Sequence, residues 1–155
     1  MGIIWFAPEA ISFNKGQVLW LLPHLYHIRE GYWPEEHRES GYRYIGGNIH
    51  KSGHHAGFEV PATIAAELEH RMERCGVDGL ILEYIGSLDF QDIETTAMKL
   101  SHYLRTSPSD IMWRYKAALA YCCGWWRKKA SYNRYCIHRR SYEKKKAGAS
   151  IKPTP

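Results

Sequence analysis

Acidic residues nearly vanish from the end of this 155-residue chain: after Trp126 there is one, Glu143, against ten lysines and arginines. Cysteine is also scarce. The four thiols, Cys75, Cys122, Cys123 and Cys136, include no CxxC pair, which removes the usual zinc-ribbon and redox patterns. Cys122 and Cys123 are neighbours, and neighbours on a helix point about 100° apart. They are therefore expected to be buried thiols rather than joint metal ligands. Long apolar runs are missing too. Val18 to Tyr26 is apolar but carries Pro23 and His24 and follows Lys15, so it is neither a leader peptide nor a membrane span. Met1-Gly2 opens a myristoylation-like start, but Phe6 stands where Ser or Thr is needed. No Ser/His/Asp order and no paired-carboxylate motif stands out. Gly46-Gly47 lacks the strand and helix that a phosphate loop requires. The sequence therefore predicts a protein that is not an enzyme, has no cofactor, does not enter membranes and resides in the cytoplasm.

What is present is core and charge. Hydrophobic residues make up 45% of the chain, with 11 Tyr and 6 Trp, which excludes a disordered polymer. The length fits one domain with an appendage. The net charge of +5 is the balance of two unequal parts: residues 1–126 carry −4 and residues 127–155 carry +9. A basic end on an acidic body points to a polyanion, most simply nucleic acid. The competing reading is a charged end that serves only solubility.

In chain order, three divisions are expected. Residues 1–60 hold an N-terminal helix and a Gly/His-rich loop. The helix is Gln17 to Arg29, with Val18, Leu21, Leu22, Leu25 and Ile28 at helical spacing and Pro23 splitting it in two. The loop holds His37, His50, His54 and His55, with Glu59 beyond. A metal site on these is a weaker expectation than a polar loop, because Gly47, Gly53 and Gly57 oppose the helix that His50 and His54 would need. Residues 61–126 hold the helical domain. Pro61 to Cys75 is an amphipathic helix with Ile64, Leu68 and Met72 inward. Glu67, Glu69, Arg71, Glu73 and Arg74 are expected on its wet face, with Glu67 and Arg71 paired at i,i+4. Gly76 ends it. Leu80 to Ile85 reads as a short helix rather than a strand. Ser87 to Phe90 is expected to turn and cap a helix over Phe90 to Tyr103.

The next helix has the clearest start. Ser107 is an N-cap and Pro108 a first-turn residue. Ile111, Tyr115, Ala118, Leu119, Cys122 and Trp126 share one side, which is the core face. Asp110, Trp113, Ala117, Ala120 and Gly124 lie opposite. That small-residue face either enters a DNA major groove or packs on another helix; the spacing alone allows both. Two helices, a turn and a Ser-Pro start read as a helix-turn-helix. In the basic end, residues 127–155, Tyr132, Tyr135 and Arg139 share helical spacing, and disorder is expected from Lys144 to Pro155. Basic residues there neutralise phosphate and aromatics stack or pack.

The segments DFQDI and LRTSPSDIMWRYKAALAY resemble the region-4 helix-turn-helix of sigma-70 factors and of phage late-transcription regulators of the ArpU/RinA type. The resemblance covers about Asp78 to Trp126. It implies promoter or operator binding through Ser107, Ser109, Asp110, Trp113, Arg114 and Lys116. Arg127, Lys128, Lys129, Arg134, Arg139 and Arg140 are expected to add grip on the backbone. The expectation is thus a mostly α-helical DNA-binding transcription regulator, phage or mobile-element encoded. Its partners would be double-stranded DNA, RNA polymerase and further copies of itself. The alternatives are a DNA-packaging or structural oligomer of the small-terminase kind and, behind it, a His-cluster metal protein.

Overall fold

The computed structural model describes residues 11–32, 59–88, 92–125 and 131–150. They form a mostly helical fold, with one two-residue ladder. Asn14 starts helix α1 (Lys15–Leu21) with a reciprocal capping box. The Asn14 side chain accepts from the Gln17 amide at 2.8 Å, and the Gln17 side chain accepts from the Asn14 amide at 2.9 Å, so two otherwise orphaned donors are satisfied together. A single 3-10 turn, Leu22–His24, carries Pro23 and leads into α2 (Leu25–Arg29). The proline divides the helix as expected, because it cannot donate to the preceding turn. Val18, Leu21, Leu25 and Ile28 point into the core. Gly31 then turns the chain at φ +94.

Helix α3 (Glu59–Arg74) buries Ile64, Ala65, Leu68 and Met72, the expected stripe. Gly76, at φ +60, permits the reversal into α4 (Val77–Gly86) without a gap. The corner is tight. A Cβ on Gly79 would collide with the carbonyl of Met72, and one on Gly86 with the Leu22 side chain. Residues 80–85 are helical, the form expected of them, and Gly79, Ile81, Leu82 and Ile85 face inward.

Helix α5 (Ile93–Leu104) is capped by Asp92, whose side chain accepts from the Glu94 amide. The cap therefore lies later than the expected Ser87–Phe90 turn, of which residues 89 and 90 fall outside the described residues. Arg105 closes α5 in the left-handed region (φ 53, ψ 47). Thr106 and Ser107 complete the turn. The Ser107 hydroxyl accepts from the Asp110 amide at 3.1 Å to start α6 (Pro108–Cys122).

Helix α6 is the hub of the fold and touches α1, α3, α4 and α5. Ile111, Tyr115, Ala118, Leu119 and Cys122 are buried as expected, and so is Ala117. Ala117, Ala118 and Leu119 together span about 200° of the helix circumference, so this helix is enclosed on most sides. After α6, Gly124–Trp125 (β2) pairs antiparallel with Ser12–Phe13 (β1). The last helix, α7 (Tyr132–Ser150), includes Lys144–Ser150 of the segment expected to be disordered, whose residues 151–155 lie outside the described residues. Lysine, alanine and glutamate are good helix formers, and α7 continues the turns that Tyr132 anchors.

Candidate nucleic-acid interface

The charge pair expected on the wet face of α3 lies inside the protein. Arg71 is 2% exposed and Glu67 is buried. The Arg71 guanidinium donates to Glu67 Oε1 at 2.9 Å, to the carbonyls of Cys122 and Gly124 at 2.8 Å each, and to that of Ile11 at 3.0 Å. It also lies 4.8 Å from the Phe13 ring centre. The cause is geometric. Cys122 ends α6, where carbonyls lack helical partners and the helix dipole favours a cation. The ladder is too short to satisfy the flanking carbonyls, and a five-donor fork can. Arg71 thus ties the first described strand, the end of the hub helix and α3 to one another.

The small-residue face of α6 is covered around Trp113 and Ala117. Trp113, Ala117 and Tyr121 form one i,i+4 row. At one end of the row Trp113 Nε1 donates to Glu143 of α7 at 2.9 Å, and the Arg140 guanidinium stacks over the indole at 4.3 Å. At the other end Tyr121 packs edge-on against Tyr132 and Tyr135, at 5.2 and 5.5 Å. Ala117, between them, is fully buried. The pairing also fixes direction: α7 lies antiparallel to α6, and its lysine-rich end points the same way as the N-terminus of α6. Of the two readings left open by spacing, helix packing is the one this face adopts.

The remaining predicted residues divide three ways. Ser107, Ser109 and Lys116 are exposed, and the two serine hydroxyls lie 3.1 Å apart. Asp110 and Arg114 are half-buried and already engaged. Asp110 accepts from Thr106 at 2.7 Å and from Arg114 Nε at 2.9 Å, while Arg114 reaches Asp78 of α4 at 3.4 Å. An Arg114 held between two carboxylates is poorly placed to read a base. Arg127, Lys128 and Lys129 lie outside the described residues, as do Trp126, His50, His54 and His55.

Helix α7 carries the basic surface. Arg134, Arg140, Lys144, Lys145 and Lys146 are exposed, while Arg139 is half-buried and donates to the Tyr135 hydroxyl at 3.2 Å. Its base is latched by Tyr132, which is 7% exposed and donates to Asp78 Oδ2 at 2.6 Å. Burial, then that bond to Asp78, push the Tyr132 phenol far above its ordinary range. Sequence reasoning missed this latch and the Arg71 hub. The only local signals were the Glu67–Arg71 spacing and the Tyr132–Tyr135 pair.

All four thiols are unbridged; Cys75 and Cys122 are buried as expected, whereas Cys123 and Cys136 are half-buried. The hydrogen bond with Cys122, then burial, raise the Cys75 thiol, and burial pushes Cys123 up to about 11. Among the described residues no cluster of His, Cys, Asp or Glu is arranged to hold a metal. No helix among them is long and apolar enough to cross a membrane. Comparison with protein-family models, curated proteins and solved structures gives no match to this chain.

Proposed function

We propose that the protein binds nucleic acid, duplex DNA first, by laying α7 along the phosphate backbone. The observation that carries this reading is α7 itself: six lysines and arginines against one acid over Tyr132–Ser150, with five of the six exposed. Nineteen helical residues rise about 28 Å, about eight phosphate steps of one strand. Lys144 to Lys146 are consecutive and so fan over about 200°, which suits charge neutralisation better than base reading. Ser107, Ser109 and Lys116 at the exposed end of α6 supply hydroxyl and ammonium contacts beside them.

On this reading α5, the Arg105–Ser107 turn and α6 form a helix-turn-helix that reaches DNA only with its tip. Sequence preference is then weak and affinity is electrostatic. A transcription regulator of phage or mobile-element type is the finer form of the proposal. That form, and RNA polymerase as a partner, rest on the sigma-like resemblance of residues in α5 and α6. A DNA-packaging oligomer is the second reading, favoured by the apolar outer stripe of α4 described below.

The test is fluorescence anisotropy with a labelled random-sequence duplex at low salt. Saturable binding is expected, and it should weaken when Arg134, Lys144 and Lys145 are together changed to Ala. No binding to any duplex under those conditions would remove the proposal.

A further inference from the structure

Helix α4 is apolar on both sides. Ile81, Leu82 and Ile85 fill the core, yet Val77, Leu80 and Tyr84 on the outer side are 52%, 66% and 47% exposed. Spaced i, i+3 and i+7, these three form one stripe. Leu100 and Leu104 of α5 continue it across a groove of about 500 Å3. A helix that is hydrophobic all round is ordinarily buried, and a contiguous apolar strip marks an interaction face.

The charges beside this strip say what covers it. On the α3 side lie Glu73 and Glu83, near Glu69, which Arg29 already engages. On the α5 side lies Lys99. It precedes Leu100 and is exposed, whereas Ser101, which follows Leu100, is buried. The order across the surface is acid, apolar, base. A two-fold rotation about an axis running along the stripe lays apolar on apolar and brings the acidic flank of one copy onto the basic flank of the other. Isologous contacts require this kind of self-complementarity, and charges of this placement steer and orient docking.

We infer that the α4–α5 groove is a homodimer face, occupied by the same groove of a second copy of this chain. The inference does not depend on the nucleic-acid reading. Sedimentation velocity on the full chain tests it. The wild type is expected to dimerise with rising concentration. Leu80→Glu, at a site exposed in the monomer, should leave the circular dichroism unchanged and yield monomer throughout. Glu83→Arg should weaken dimerisation by about tenfold, and adding Lys99→Glu should restore most of the loss.

A wild type that stays monomeric at every concentration would overturn the inference. So would a dimer indifferent to Leu80→Glu, or a double variant no tighter than Glu83→Arg alone. Hydroxyl-radical labelling of the wild type adds one further outcome. Protection of Tyr84 in a monomer would assign the groove to another occupant and equally overturn it.

Discussion

Helices α6 and α7 lie side by side and solve opposite problems. Helix α6 spends nearly every side chain on the protein: its buried row meets α1, α3, α4 and α5, its small-residue row meets α7, and its last carbonyls meet Arg71. Helix α7 commits its first turns, through Tyr132, Tyr135 and Arg139, and Arg140 on the α6 indole; beyond them it presents lysines to solvent. Both are long helices beside aromatic residues, yet one builds the fold and the other decorates it. The comparison teaches that the helix with the clearest start in the sequence need not be the one that presents its charge to solvent. A helix enclosed on most sides has little surface left to read with, whereas a helix tied at one end exposes its charge at little cost in core.

The largest way to break this contrast is at Arg71. Arg71→Met leaves Glu67 buried and unpaired and removes the donors to three carbonyls. Breaking a buried pair from one side costs about 3–5 kcal/mol, so urea unfolding should show a drop of that order. Adding Glu67→Leu should recover a large part of it, because the stranded charge is then gone. A loss below about 1 kcal/mol for Arg71→Met, the size expected of a surface pair, would mean that Arg71 does not hold the two strands.

Ala117→Leu sharpens the comparison on the shared face. Between Trp113 and Tyr121, beneath α7, the added carbons overpack the contact and should cost about 1–3 kcal/mol. Were this row open to a DNA groove instead, thermal stability would be nearly unchanged and only binding would fall.

A smaller effect follows from the thiols and phenol buried around the end of α6 and the start of α7. Cys75, Cys123 and Tyr132 all have pKa values raised by the fold, Cys123 from 9.0 to about 11. A raised value means that the folded chain holds its proton more tightly than the unfolded one. The associated stability is complete below about pH 9 and declines as pH rises through 9 to 11 and beyond. Denaturation midpoints measured across that range should fall, and Cys123→Ser should flatten the part between 9 and 11. A midpoint that rises with pH there would contradict the burial of these groups.

Local chemistry was legible in the sequence where it acts within one turn. Ser107 and Pro108 start α6, Gly76 ends α3, and Pro23 splits the first helix, each for reasons contained in a few residues. The apolar stripe of α3 was legible for the same reason. Two features depended on partners far along the chain and were not. An i,i+4 Glu–Arg pair has the same spacing on a wet face or in a core, and only the carbonyls of Ile11, Cys122 and Gly124 draw Arg71 inward. A row of Trp113, Ala117 and Tyr121 suits a groove or a neighbouring helix equally, and it is the Tyr132–Asp78 latch that brings α7 across it. Of the candidate site, the basic character of the C-terminal part was readable from charge alone. Its helical form through Ser150 was not, because lysine runs favour helix and solvated coil by small margins.

The central claim is that α7 grips while α6 supports, and the salt dependence of duplex binding tests it most directly. For about five phosphates neutralised, the logarithmic slope of affinity against salt is about −4.5. Changing Arg134, Lys144 and Lys145 together to Ala should bring the slope toward zero by about one per residue, with the melting temperature within about 2 °C of wild type. The same slope in the variant as in wild type, or an equal change from Lys116→Ala alone, would place the grip elsewhere and contradict the account.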